Sequence, residues 1–81
     1  MAKIPIYMPK YGMTMTEGLI SEWLYAEGDA VQEGRPVVLV ETEKVQIELE
    51  SPASGTLVDV KYQEGQEVPV GKIFAYIEDG K

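Results

Sequence analysis

"ETEKVQIELE", residues 41–50, decides how the rest of the chain is read. From Val45 onward, apolar residues alternate with acidic or amide ones, the period of a half-buried strand. The preceding run, Val37-Val38-Leu39-Val40, also reads as strand, so the chain must reverse near Glu43-Lys44. That tip contains no Gly, Asn, Asp or Pro, the residues that make a tight hairpin easy. A type I turn or a slightly longer loop accommodates Glu-Lys, because type I geometry accepts most residues.

Working outward, the chain repeats itself. A shift of 37 residues lays Gly18–Glu41 on Gly55–Glu78, with identities at Gly18/Gly55, Tyr25/Tyr62, Glu27/Glu64, Gly28/Gly65, Val31/Val68, Gly34/Gly71 and Glu41/Glu78. Each copy reads strand, Glu-Gly turn, one buried valine, a second Gly turn, strand, so two similar β units follow one another. Strands are expected at Ile4–Met8, Leu19–Leu24, Val37–Thr42, Val45–Ser51, Thr56–Val60 and Ile73–Ile77, with short pieces around Val31 and Val68. Helical periodicity is absent. Short strands punctuated by Gly and Pro predict an all-β sandwich or flattened barrel with an internal pseudo-two-fold repeat. Its core is expected to draw on Ile20, Trp23, Val31, Leu39, Ile47, Leu57, Val60, Val68 and Ile77. The repeat also sends position 44 to position 81, so approximate two-fold symmetry would set the hairpin tip and the chain ends at opposite poles.

Composition narrows the function. Eighty-one residues form one domain, and a chain of this size buries only about 60 to 65% of its unfolded surface, which disfavours a deep enzyme cleft. With 44% hydrophobic and 26% charged residues it has the make-up of a folded globular domain. Seven basic against 14 acidic residues give a net charge of −7, which repels phosphate backbones and anionic lipid alike, so neither nucleic acid nor membrane is an expected partner. There is no cysteine, hence no disulfide and no soft metal site, and no histidine, the commonest general base. Ser21, Ser51 and Ser54 have no evident activating neighbour in sequence. The pairs Glu41/Glu43 and Glu48/Glu50 could be imagined as a two-carboxylate hydrolase site, but their alternation with apolar residues marks a solvated strand face. No catalytic residue and no metal site is assigned. No apolar run is long enough to span a membrane as a helix, and the N-terminus lacks the layout of a signal peptide.

Most lysines here are expected to be solubilising surface charges: Lys3, Lys10, Lys61, Lys72 and Lys81. Lys44 differs, because the strands on either side strongly specify their pairing and would hold its amine at a defined, reachable point.

Three stretches, "MPKYGMTMTEGLISEWLYAEGDAVQEG" (8–34), "VETEKVQIELESPASGTL" (40–57) and "EGQEVPVGKIFAYI" (64–77), together resemble the lipoyl domains of 2-oxo acid dehydrogenase complexes, over essentially the whole chain. The resemblance implies a flattened barrel of two four-stranded antiparallel sheets, forming a single domain over 1–81 in the N-terminal part of a larger acyltransferase chain. It implies lipoic acid in amide linkage to Lys44, with Glu43 and Val45 flanking the site. It also implies that the loop of Gly12, Met13, Thr14 and Met15 beside the tip is read by partner enzymes. Packing offers an equal account of that loop, with Met13 and Met15 filling gaps at the core rim. The tip departs from the family's usual Asp-Lys by having Glu43-Lys44. Glu keeps the charge but loses the short side chain's local turn-forming bond.

The partners implied are a lipoylating enzyme, a thiamine-dependent decarboxylase, an acyltransferase core and a flavin-dependent dihydrolipoyl dehydrogenase. The domain would serve them as a monomeric, non-catalytic carrier, in bacterial or archaeal cytoplasm or in the mitochondrial matrix. Two other readings stay open. A biotin carrier shares the barrel and the hairpin lysine, although that group frames its lysine with methionines. An unmodified lipoyl-like adaptor would have a dispensable tip lysine. The residues do not choose among pyruvate, oxoglutarate, a branched-chain 2-oxo acid and acetoin, although "MPKYGMTM" is reminiscent of acetoin and pyruvate complexes.

Overall fold

A computed structural model describes residues 2–10, 12–13, 15–43 and 45–79. Eight strands form in the order β1 (Lys3–Tyr7), β2 (Glu17–Trp23), β3 (Ala30–Val31), β4 (Pro36–Glu41), β5 (Gln46–Glu50), β6 (Gly55–Val58), β7 (Glu67–Pro69) and β8 (Ile73–Glu78). They make two four-stranded antiparallel sheets, β1-β8-β6-β3 and β5-β4-β2-β7. All six longer expected strands and both short pieces are present, within a few residues of the expected bounds.

The two sheet orders are equivalent under the 37-residue shift, which carries β2 onto β6, β3 onto β7 and β4 onto β8. At the remaining edge, β1 fills beside β8 the place that β5 fills beside β4. The symmetry extends to individual hydrogen bonds. Gly28 N–H donates to Leu57 C=O at 2.7 Å, and Gly65 N–H donates to Ile20 C=O at 2.8 Å. Leu57 N–H reaches Asp29 C=O at 3.0 Å, and Ile20 N–H reaches Gln66 C=O at 2.9 Å. The matched glutamates cap opposite units: Glu64 Oε2 accepts from Trp23 N–H at 2.9 Å, and Glu27 Oε2 accepts from Val60 N–H at 3.3 Å. Each half therefore closes the backbone of the other. The matched turn glycines have matched left-handed backbones, with φ of 97° and 89° at Gly28 and Gly65 and 85° and 88° at Gly34 and Gly71, a region that a Cβ makes costly.

The core between the sheets comprises Ile6, Met8, Ile20, Val31, Val37, Val38, Val40, Leu57, Val68, Phe74, Ala75 and Ile77. Five of the nine expected core residues are buried. Trp23 and Val60 pack against the core from its margin, with the Trp23 ring centroid 5.7 Å from that of Phe74 and its Nε1–H donating to Tyr62 C=O at 3.0 Å. The other two are corrections. Leu39 pairs with Glu22 and Glu48 on the outer face, because β4 presents Val38 and Val40 inward instead. A run of four apolar residues carries no period-2 signal from which to choose the phase. Ile47 stands beside buried Val40, but it lies on the edge strand and stays partly exposed.

Two bulges explain why adjacent residues are buried where strict alternation allows one. The pairing of β4 with β5 steps from Pro36↔Glu50 to Val38↔Leu49, which leaves Val37 as the extra residue. That of β8 with β1 steps from Ala75↔Ile6 to Ile73↔Tyr7, which leaves Phe74. Val37 and Phe74 are themselves 37 apart, so the bulge belongs to the repeat. In each copy it turns a second apolar side chain into the core.

Strand direction fixes the poles. β4 runs toward the tip, where Leu19 lies between Glu41 and Glu67 in the ladder. β8 starts in that same half, with Met8 N–H donating to Lys72 C=O at 3.0 Å and the Met8 thioether lying against Gly18. It then runs away from the tip to Asp79, whose N–H donates to Ala2 C=O at 3.0 Å. In a molecule of 38 × 20 × 19 Å, the Thr42/Val45 pair and the Ala2/Asp79 pair therefore lie at opposite ends.

Candidate functional site

The β4–β5 hairpin closes at Thr42 and Val45. Thr42 N–H donates to Val45 C=O at 2.8 Å, Thr42 Oγ1–H donates to the same carbonyl at 2.9 Å, and Val45 N–H donates back to Thr42 Oγ1 at 3.1 Å. These bonds explain how a tip without Gly, Asn, Asp or Pro is made. A threonine hydroxyl supplies the local bond that a shorter polar side chain would otherwise give. Among the described residues Asp59, with φ 53°, is the one non-glycine in the left-handed region, so Glu43 needs no special backbone. The expectation at Lys44 falls outside the described residues, as does that at Thr14.

Around the tip lies an open groove of about 780 Å³. It is lined by the apolar side chains of Met13, Met15, Leu19 and Val45 and by the carboxylates Glu17, Glu41, Glu43 and Glu67. Glu43 is exposed and Val45 is 55% exposed, an unusual outlay for a valine one residue from a strand. The loop expected beside the tip borders the same groove, and its two methionines divide the roles between them. Met13 is 94% exposed, whereas Met15 packs against the core. Gly12 is exposed, and its carbonyl accepts from Met15 N–H at 3.1 Å. Thr16 C=O accepts from Val70 N–H at 2.9 Å, which ties the loop's end to the turn after β7. Structure therefore brings together Gly12, Met13, Met15, Glu43 and Val45, and adds Thr42, Leu19, Glu41 and Glu67. The signal for Thr42 was legible as a hydroxyl at the base of a glycine-free turn. The signal for Leu19 and its flanking carboxylates existed only in the strand register.

The remaining polar candidates have structural partners. Ser51 is buried, with its hydroxyl donating to Ala53 C=O at 2.6 Å. Ser54 Oγ accepts from Glu33 N–H at 2.9 Å, and Ser21 Oγ accepts from Gln46 Nε2 at 3.1 Å. Lys3 is more than a solubilising charge, because its Nζ bonds Asp59 Oδ2 at 2.8 Å at the pole away from the tip. That bond, reinforced by the charge attraction, raises the Lys3 ammonium pKa and lowers that of the Asp59 carboxyl. Among the described residues no cluster of His, Cys, Asp and Glu is arranged to hold a metal ion.

A family model described as "Biotin-requiring enzyme", the biotin/lipoyl model, matches residues 4–77. The chain belongs to the biotin/lipoyl family. Within that family it is a lipoyl domain by fold. It superposes with TM-score 0.81 on the solution structure of the lipoyl domain of the 2-oxoglutarate dehydrogenase complex of Azotobacter vinelandii, at 27% identity over 96% of this chain and 99% of that one. It is 42% identical over 76 residues to the dihydrolipoyllysine-residue acetyltransferase component of the acetoin cleaving system of Bacillus subtilis, covering 94% of this chain and 19% of the relative. It is 45% identical over 69 residues to the acetyltransferase component of the pyruvate dehydrogenase complex of Acholeplasma laidlawii, covering 85% of this chain and 13% of the relative. The chain thus spans less than a fifth of these curated relatives' length.

Proposed function

We propose that this lipoyl domain carries lipoic acid as an amide on Lys44, and that it serves as the mobile carrier of an acyltransferase component in a 2-oxo acid or acetoin dehydrogenase complex. The observation that carries this reading is the hairpin tip clasped by Thr42 and Val45, held on two paired strands at the pole opposite Ala2 and Asp79. A chain held from the terminal pole would leave that tip facing outward. The exposed neighbours Glu43 and Val45 and the open groove beside them leave room for a long substituent. The bound cofactor would supply a redox-active disulfide to a chain that has no thiol of its own. Amide formation also neutralises the lysine, so the arm carries no charge past the carboxylates that line the groove.

The partners that fit are a lipoylating enzyme, a thiamine-dependent decarboxylase, an acyltransferase core and a flavin-dependent dihydrolipoyl dehydrogenase, in a cytoplasm or mitochondrial matrix. Met13 stands fully outward at the groove and is the residue of the 12–15 loop best placed for a decarboxylase to touch.

The test is to incubate the chain with a lipoate–protein ligase, lipoate and ATP, and in parallel with a biotin–protein ligase, biotin and ATP, followed by peptide mapping. A lipoyl group confined to Lys44, lost in Lys44→Arg, is the expected result. A biotinyl adduct, or a lipoyl group on another lysine, overturns the reading.

A further inference from the structure

We infer that Thr42 is a positioning residue for the modification of Lys44, acting through its hydroxyl on the two-residue loop that it closes; the inference rests on the attachment site proposed above. One hydroxyl oxygen takes both sides of the bargain. It accepts from Val45 N–H at 3.1 Å, and its own hydrogen goes to Val45 C=O at 2.9 Å, as the donor and acceptor capacity of a hydroxyl allows. With Thr42 N–H also on Val45 C=O at 2.8 Å, three hydrogen bonds join the residues on either side of Glu43 and Lys44.

The placement of this clasp is specific. Val45 N–H is directed to a side chain, so at the last rung of the hairpin one main-chain bond, Thr42 N–H to Val45 C=O, remains and the other is replaced by a side-chain bond. Thr42 is half-buried, whereas Glu43 and Val45 on either side of the site are exposed, so the hydroxyl is the point at which the outward loop is fastened to the sheet. A valine at 42 would keep the shape and β-branching of threonine, leave Val45 N–H to water and leave Val45 C=O with the residue-42 N–H alone.

An enzyme that acylates a lysine must thread the side chain into its own site, and it binds only loops already in the competent shape. If the clasp holds that shape, losing it lowers the competent fraction and raises KM by the same factor, while kcat at saturating chain stays unchanged. Two exposed hydrogen bonds correspond to about a five- to thirty-fold change. A purely structural hydroxyl would instead lower the melting temperature and leave KM alone.

The experiment compares native chain, Thr42→Val and Thr42→Ser as substrates of a lipoate–protein ligase with lipoate and ATP, measuring kcat and KM for the chain. Hydrogen exchange at the Val45 amide and the melting temperature are measured alongside. Thr42→Val is expected to raise KM about five- to thirty-fold at near-native kcat and to exchange its Val45 amide faster. Thr42→Ser, which keeps the hydroxyl, is expected to restore native KM and exchange. An unchanged KM in Thr42→Val, or a Thr42→Ser chain as poor as Thr42→Val, overturns the role of the hydroxyl while leaving the attachment site standing. A native chain that accepts no lipoyl group overturns the attachment site, and the positioning role with it.

Discussion

The paired glycines Gly18 and Gly55 occupy the same place in the two halves, yet an added methyl group should cost very different amounts at the two sites. A Cβ on Gly18 would lie 2.8 Å from the Met8 thioether sulfur and 2.8 Å from Val40 Cγ1, both side-chain atoms. Met8 has three rotatable bonds and can retreat, which leaves the stiffer Val40 as the main obstacle. A Cβ on Gly55 would overlap the carbonyl oxygen of Glu78 and lie 2.7 Å from its carbon, and that carbonyl belongs to the β6–β8 ladder at Thr56↔Glu78. Backbone cannot rotate aside, so the ladder must part.

Overpacking costs about 1 to 3 kcal/mol, with Gly18→Ala at the low end, roughly 1 kcal/mol. Gly55→Ala sits at the high end, about 3 kcal/mol, because the added methyl meets backbone. Unfolding entropy near 2.1 cal/mol/K per residue gives about 0.17 kcal/mol/K for 81 residues, so each kcal/mol moves the melting temperature by about 6 °C. Thermal unfolding followed by circular dichroism should therefore show a fall of about 6 °C for Gly18→Ala and about 18 °C for Gly55→Ala. Equal falls, or a larger one at Gly18, would refute the distinction between yielding side chain and unyielding backbone.

Three further outcomes are expected. Trp23→Phe keeps a ring against Phe74 but leaves Tyr62 C=O without the indole donor, and it should cost about 1 kcal/mol in chemical denaturation; a chain as stable as native would mean the bond contributes nothing. The lowered Asp59 carboxyl adds stability that is present above the unfolded carboxylate pKa, about 3.9, and is lost as pH falls through the lower folded value. The raised Lys3 ammonium adds stability that is present below about 10.4 and is lost as pH rises through the higher folded value. Asp59→Asn, which tolerates the left-handed backbone, should accordingly flatten the melting curve against pH on the acid side, and an unaltered acid limb would count against the pair. Gly34→Ala and Gly71→Ala meet open space but force a Cβ into left-handed backbone, so both should lose about 1 kcal/mol and by matching amounts; a marked difference would break the equivalence of the two halves.

The two halves, the strand positions and the turn glycines could all be read from residue order because they are local. A Gly at φ near 90° or an alternating run is fixed by its immediate neighbours. The family resemblance was legible for the same reason, being an ensemble of such spacings. The β4–β5 hairpin was legible as a place where the chain reverses, and the division of labour between Met13 and Met15 was not, since both are apolar, unbranched and two residues apart.

What the chain order determined by itself was therefore the repeat, the eight strands and the hairpin turn between β4 and β5. Only the packed molecule decided which face of the apolar run Val37–Val40 turns inward, that Val37 and Phe74 are matched bulges, and that Leu19 stands between Glu41 and Glu67 beside the tip. The physical reason is the range of the interactions. Turn chemistry acts over a few residues, whereas strand phase, bulges and the groove are set when two sheets distant in sequence share one core and each residue's surroundings come from the other half.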